Sequence, residues 1–288
     1  MLFLPTVSGP ADGSGFYAKN LVTGTPSTTV WSADTITSGA GVDTLGAWNE
    51  IFTATAVGFD IHLLEIWIAG NNTSAADSST LMDIGIGGAG SEVVLIPQIS
   101  AGWSAAATVG PRSFVTPVFI PMGTRISMRS QAITASRATQ VAVFAYGYFG
   151  RSGSRLDIPR KFQAIGTTTT GSRGTSHTPG NTGAYSAWAN IGSVAAFEGH
   201  FLHLMSHGQG TKTDTTMLNV AYHVQIGFSS GTIIYGEWWV GTSTNETLIV
   251  APTTPIPCGI GVGTQLQIRA KCSGTAEAQD FSVLMGGV

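Results

Sequence analysis

Two segments of this 288-residue chain carry glycine patterns that elsewhere serve chemistry. Gly85-Ile86-Gly87-Gly88-Ala89-Gly90 has the G-x-G-x-x-G spacing of a dinucleotide-binding turn, which works only when the glycines open a helix whose N-terminus meets the pyrophosphate. Gly227-Phe228-Ser229-Ser230-Gly231 has the G-x-S-x-G spacing of a hydrolase elbow, which needs a strand before the serine and a helix after it. The segments that follow, Ser91 to Ile96 and Thr232 to Tyr235, both read as strands. A hairpin turn with glycines at positive φ is expected at each place instead.

Histidines cluster once, at His200, His203 and His207. On an extended strand His203 and His207 share a face and His200 points the other way, so three metal ligands would require a bulge. Strand or interface histidines are expected, with no metal and no cofactor. Glycoside hydrolysis needs two facing acids, but Asp60 and Glu65 differ in strand parity and Asp77 and Asp83 flank a polar loop. The chain is not expected to be an enzyme. Cys258 and Cys272 lack Cys-x-x-Cys spacing and read as two reduced thiols.

Aromatic side chains are the better candidates for binding. Trp238 and Trp239 are adjacent on one strand and must face opposite ways. With Trp103 they are candidate contacts to a protein or a glycan, because indoles supply large apolar area at interfaces and stack on sugar rings. A basic segment adds Arg151, Arg155, Arg160 and Lys161, a seam suited to an acidic neighbour.

The elements that must position these residues come in two copies. Ala47-Trp48-Asn49-Glu50-Ile51 returns as Ala187-Trp188-Ala189-Asn190-Ile191, and Pro117 to Arg129 returns as Pro257 to Arg269, both at an offset of 140. Because Trp48 and Trp188 are equivalent, a framework role is expected for them. The same equivalence joins Ile84-Gly85 to Ile226-Gly227, so the two false motifs are one duplicated turn. The chain divides into an N-terminal arm with the first strands (1–45), a first β-sandwich (46–150), a linker (151–161) and a second β-sandwich (162–288). Short β-branched and aromatic runs such as Ile61 to Ile68, Gln140 to Phe144 and Gln265 to Arg269 are separated by Gly, Ser and Thr turns. No window shows a helical period. The expected fold is all-β, two tandem jelly-roll-like sandwiches related by a repeat of about 140 residues.

Composition narrows the function. Only 10% of residues are charged, and 13 basic against 16 acidic residues give a formal charge of −3, so no global positive field draws nucleic acid or an anionic membrane. The charge is uneven: residues 1–150 carry five basic and nine acidic groups, residues 151–288 eight and seven. No run approaches the roughly 20 apolar residues of a membrane span, and the N-terminus lacks a signal peptide's basic head and apolar core. A soluble chain outside the general secretory route is expected.

The segment Phe119-Ile120-Pro121-Met122-Gly123-Thr124-Arg125-Ile126-Ser127-Met128-Arg129-Ser130 resembles a strand-turn-strand pattern of virion structural proteins of tailed bacteriophages. In the second copy Gly261 replaces the proline and Gln265 the first arginine, while Gly263-Thr264 and Arg269 remain. Pro-x-Gly supplies a turn, and the alternation after it buries Ile126 and Met128 while Arg125 and Arg129 face outward. The resemblance implies a virion component with a decoration, tail, fibre or coat role, assembled in the host cytoplasm as an oligomer with other virion subunits. The arm would then dock on a neighbour. A carbohydrate-binding adhesin that recognises host glycans is the rival expectation.

Overall fold

The computed structural model describes residues 17–22, 25–26, 31–32, 34–70, 78–103, 112–149, 158–167, 174–181, 183–194, 197–207, 221–228, 231, 233–241, 255–274 and 278–288. Their regular elements are all β-strands. In the first half these are β1 (Tyr17–Val22), β2 (Thr25–Pro26), β3 (Trp31–Ser32), β4 (Asp34–Thr37), β5 (Asn49–Phe52), β6 (Ile61–Gly70), β7 (Ser78–Ile86), β8 (Val93–Trp103), β9 (Arg112–Ile120), β10 (Ile126–Ala132) and β11 (Ala138–Phe149). One antiparallel sheet runs β1-β11-β6-β9, with β4 sharing the β1 side of β11; the other runs β5-β10-β7-β8.

The second half contains β12 (Lys161–Ile165), β13 (Thr175–His177), β14 (Ala189–Ser193), β15 (Gly199–His207), β16 (Ala221–Phe228), β17 (Ile233–Gly241), β18 (Ile256–Ile260), β19 (Gln265–Cys272) and β20 (Gln279–Gly287). Its sheets run β12-β20-β15-β18, with β13 also on β20, and β14-β19-β16-β17. Apart from the short β2–β3 pair, which forms a two-stranded sheet of its own, this repeats the order of the first half. Strands that cross between a five-stranded and a four-stranded antiparallel sheet in this order make a jelly roll, so the chain is two tandem jelly rolls.

Period-two burial explains why these segments are strands. In β19 buried and half-buried residues alternate from Gln265 to Cys272 without a break. The first core lies between its sheets around Ile66, Met82, Ile84, Phe114, Ile126, Met128 and Val141. The second collects Leu202, Leu204, Tyr222, Val224, Trp238, Ile268 and Phe281. Each such side chain contributes roughly 1.5–3 kcal/mol by leaving water.

The G-x-G-x-x-G segment is the β7–β8 hairpin, with Gly87 at φ 120° and Gly90 at φ 79°. The G-x-S-x-G segment ends β16 and leads to β17, with Gly231 at φ 85°. Neither glycine run opens a helix.

The two jelly rolls pack together. The edge strands β8 and β9 of the first lie on the outer face of the β12-β20-β15-β18 sheet of the second, and Met205 and Leu284 join the first core, each 0% exposed. The Ser100 amide donates to Met205 Sδ at 3.4 Å, the rings of Phe114 and His203 are 4.9 Å apart, and Thr167 Oγ1 donates to Gln98 Oε1. Gln98 sits in a bulge of β8 at φ 53°, where two residues face Asp83. Residues 1–16 of the N-terminal segment lie outside the described residues. Residues 17–22 and 34–37 add strands to the chain's own sheet, because their backbone groups pair with β11. No helix among the described residues is long and apolar enough to cross a membrane.

Candidate functional site

The residues with binding chemistry gather on the outer faces of β5-β10-β7-β8 and its duplicate β14-β19-β16-β17. A common unit underlies both faces. Trp48 lies across Gly85, where an added Cβ would sit 2.6 Å from the indole, and Trp188 lies across Gly227, where it would sit 2.9 Å away. Only glycine permits this approach. The Arg129 guanidinium stands 4.4 Å over the Trp48 ring, and Arg269 stands 4.6 Å over Trp188. The duplicated tryptophans therefore serve the framework of each sheet.

On the first copy this face is closed by ion pairs. Arg129 Nε meets Asp83 Oδ2 at 3.0 Å, and Asp83 Oδ1 accepts from the Gln98 amide at 2.9 Å. Arg125 bridges Glu50 at 2.6 Å and Glu92 at 2.7 Å. The hydrogen bond from Arg125 holds the Glu92 carboxyl below its ordinary range. Charges satisfied within the sheet leave little for a ligand.

The second copy differs. Register places His223 where the first copy has Leu81, and the 140 offset places Tyr185 where it has Leu45. His223 Nδ1 lies 2.7 Å from the Tyr185 hydroxyl and Nε2 lies 3.2 Å from Glu237 Oε2. A tyrosine O–H donating to Nδ1 and an Nε2–H donating to the carboxylate satisfy both contacts with a neutral ring. Gln225 Nε2 donates to Glu237 Oε1, and Arg269 Nε donates to Gln225 Oε1 at 2.7 Å. Arg269 and Lys271 stand 4.4 Å and 4.7 Å over the Tyr185 ring. Burial, followed by the Glu237 charge, raises the Tyr185 phenol above its ordinary value.

Trp239 completes the platform. Its ring is parallel to His223 within 3°, with centroids 4.4 Å apart, and the residue is 70% exposed. The result is a flat aromatic surface beside Glu237 and Lys271, with Gln225 buried beneath them. Such a surface can stack on the apolar face of a sugar ring or on a partner's side chain while the polar groups take hydrogen bonds. Both His223 nitrogens are occupied and one ring face is covered by Trp239, so the imidazole is held as part of the platform.

The structure separates the sequence candidates. Trp239 is on the platform, whereas Trp238 points into the second core at 5% exposure and is not a contact residue, because adjacent strand positions face opposite sides. Trp103 ends β8, with its side chain outside the described residues. Arg151 and Arg155 also lie outside them. Arg160 stands 4.4 Å over Phe119 and its amide donates to Gly287, so it fastens the second jelly roll to the first. Lys161 begins β12 and is exposed.

His203 is fully buried between Phe114 and Phe201, and His200 occupies a bulge of β15. The side chain of His207 lies outside the described residues. Among the described residues no group of three His, Cys, Asp or Glu is placed to hold a metal. Cys258 and Cys272 are both free thiols. Sequence reasoning missed Tyr185, His223, Glu237 and Lys271, which meet only through sheet register.

The fold and its faces define a tandem jelly-roll protein whose second copy carries an aromatic platform. No protein-family model matches the chain, and no curated protein does. Solved structures with a similar course are distant. PNGF-II has TM-score 0.40 and 9% identity over 93% of this chain and 65% of its own, so the chain spans about two thirds of that protein. The STIV MCP has TM-score 0.38 and 9% identity over 93% of this chain and 96% of its own. The CBM22-1-CBM22-2 tandem domain of Paenibacillus barcinonensis Xyn10C has TM-score 0.28 and 11% identity over 98% and 95%. The functional reading therefore rests on the chain's own residues.

Proposed function

We propose that the chain is a non-enzymatic structural component of a bacteriophage virion, assembled in the host cytoplasm with other virion subunits on the capsid or tail. The observation that carries this reading is the contact between its two jelly rolls. A sheet face built of Phe201, His203, Met205 and Leu284 is buried to 4% exposure or less by the edge of another jelly roll. One sheet face of this chain already serves as a contact surface between folded units, and close packing of such units is how subunits assemble by symmetry. The Phe119 to Ser130 segment supports the virion setting, and the ion pairs of Arg125 and Arg129 engage the carboxylates of Glu50, Glu92 and Asp83 on that outer face. Nucleic acid and membrane are not among the partners proposed. Mass spectrometry of purified particles tests this: the chain is expected at a fixed copy number relative to the coat subunit, and its absence from particles overturns the proposal.

One observation favours a second reading, a carbohydrate-binding adhesin. Trp239 is a large aromatic side chain at 70% exposure beside a carboxylate and a lysine. A glycan array with the intact chain separates the readings. Saturable binding that Trp239→Ala removes supports the adhesin; no binding to any glycan removes that reading.

A further inference from the structure

The internal duplication shows how a second copy of the chain can be held. In the second jelly roll, the outer face of β15 and β20 is covered by the β8–β9 edge of the first. The same positions exist on the first jelly roll. Leu63 faces Tyr146 as Phe201 faces Gly286, and Glu65 faces Phe144 as His203 faces Leu284. Leu63, Glu65, Trp67, Phe144 and Tyr146 are each only half-buried, while Phe201, His203, Met205 and Leu284 are shut off from solvent.

The half-buried face is built for contact. Glu65 accepts from Trp67 Nε1 at 2.7 Å and from the Tyr146 hydroxyl at 3.0 Å, so the polar atoms serve one another and the rings are left outermost. Trp67 and Phe144 lie with ring centroids 6.3 Å apart. A face of satisfied polar atoms and aromatic rings matches the centre of an interface.

The chain also holds a second copy of the covering edge, β17 and β18. Ser100, which meets Met205, lies opposite Leu81, and Trp239 lies opposite His223 at the matching place in β17. Where the first edge is already seated, the second presents an indole at 70% exposure. Charge agrees with this pairing. The half bearing the half-buried face has nine acidic and five basic residues, and the half bearing the edge with the exposed indole has seven acidic and eight basic.

We propose that the outer face of β6 and β11 around Trp67 and Phe144 receives the β17–β18 edge of a second copy of this chain, so that copies join head to tail. The contact is heterologous: each copy gives an edge and receives one, and the series closes into a ring or extends as a filament. This deepens the assembly reading and rests on it only in that copies of the chain meet.

Sedimentation velocity of the full-length chain tests the proposal with two variants, Phe144→Lys on the face and Trp239→Lys on the edge, each checked for native circular dichroism. The wild-type chain is expected to form concentration-dependent oligomers, and each variant to remain monomeric. An equimolar mixture is expected to form one-to-one dimers and nothing larger, since one intact face and one intact edge remain for each pair. Should Phe144→Lys fail to fold, Val115→Lys on the same face takes its place. A monomeric wild-type chain, a Trp239→Lys variant that assembles as wild type, or a mixture that stays monomeric overturns the head-to-tail contact. Failure of the two proposals is distinguishable. A chain present in particles but monomeric in solution defeats this contact alone, and head-to-tail oligomers absent from particles defeat the virion reading alone.

Discussion

The imidazole of His223 lies flat beneath the indole of Trp239, 4.4 Å away and within 3° of parallel, and this pair is the outermost part of the platform. Trp239 is largely exposed, so Trp239→Ala should cost less than about 1 kcal/mol of stability. His223→Ala should cost more, because it leaves the Tyr185 hydroxyl and the Glu237 carboxylate without their shared partner. Urea unfolding of both variants checks the order. If Trp239→Ala proves the more damaging, the indole is a structural residue and not a contact surface.

Gly227→Ala should destabilise the second jelly roll by roughly 1–3 kcal/mol, since the new methyl group meets the Ile233 carbonyl and the Trp188 ring. The equivalent Gly85→Ala should do the same to the first through Trp48. Adding Trp48→Leu should remove most of the penalty in the first copy, where the three nearest atoms all belong to the indole, and a double-mutant cycle measures the coupling. Additive effects would show that the close approach does not determine the glycine.

Much of this frame was legible in the sequence because a strand writes its two faces into alternate residues. Ile126 and Met128 read as inward and are 1% exposed, and Arg125 and Arg129 read as outward and carry the ion pairs. The duplicated Trp48 and Trp188 read as framework and rest on duplicated glycines. What alternation does not give is register. Tyr185, His223 and Glu237 come from separate segments, and only the pairing of β16 with β17 and β19 brings them together. Parity alone also could not say which of Trp238 and Trp239 faces inward. The jelly-roll contact did leave a signal: Phe201 to Met205 is apolar at both parities, interrupted only by His203, the mark of a strand buried on both faces.

Asp280 should make stability depend on pH between about 4 and 6. Burial raises its carboxyl to about 6 against the opposing hydrogen bond from Ser176, and Oδ1 is buried without a hydrogen-bond partner among the described residues. The folded pKa lies above the unfolded one, so the folded state binds the proton more readily. The group therefore lowers stability above pH 6, and the penalty fades as pH falls through 6 towards 4. Asp280→Asn should stabilise at pH 7 by up to about 3 kcal/mol and change little at pH 4. Thermal unfolding at both pH values decides, and equal effects would remove the carboxylate as the cause.

The thiols should be slow to react in the native state. Burial pushes the Cys258 thiol up to about 12, so almost none of it is thiolate near neutral pH, and Cys272 is 2% exposed. A chromogenic disulfide reagent should label neither quickly under native conditions and both in guanidinium chloride. Rapid native labelling of Cys258 would show that the edge at β18 opens readily.

Met205 tests whether the two jelly rolls unfold as one body. Its side chain belongs to a strand of the second sandwich but lies in the core cluster of the first, where it accepts the Ser100 amide. Met205→Asp places a charge there with no cation beside it among the described partners, and burying an unpaired charge costs several kcal/mol. The strand itself can keep its place, because Leu202 and Leu204 on its other face still fill the second core. The damage should therefore fall on the contact between the jelly rolls and not on either fold. Wild-type protein should unfold in one calorimetric transition and Met205→Asp in two, as expected when a shared interface is lost but separate cores survive. Two transitions already present in the wild-type chain would show that the buried face formed by His203, Met205 and Leu284 does not couple the halves.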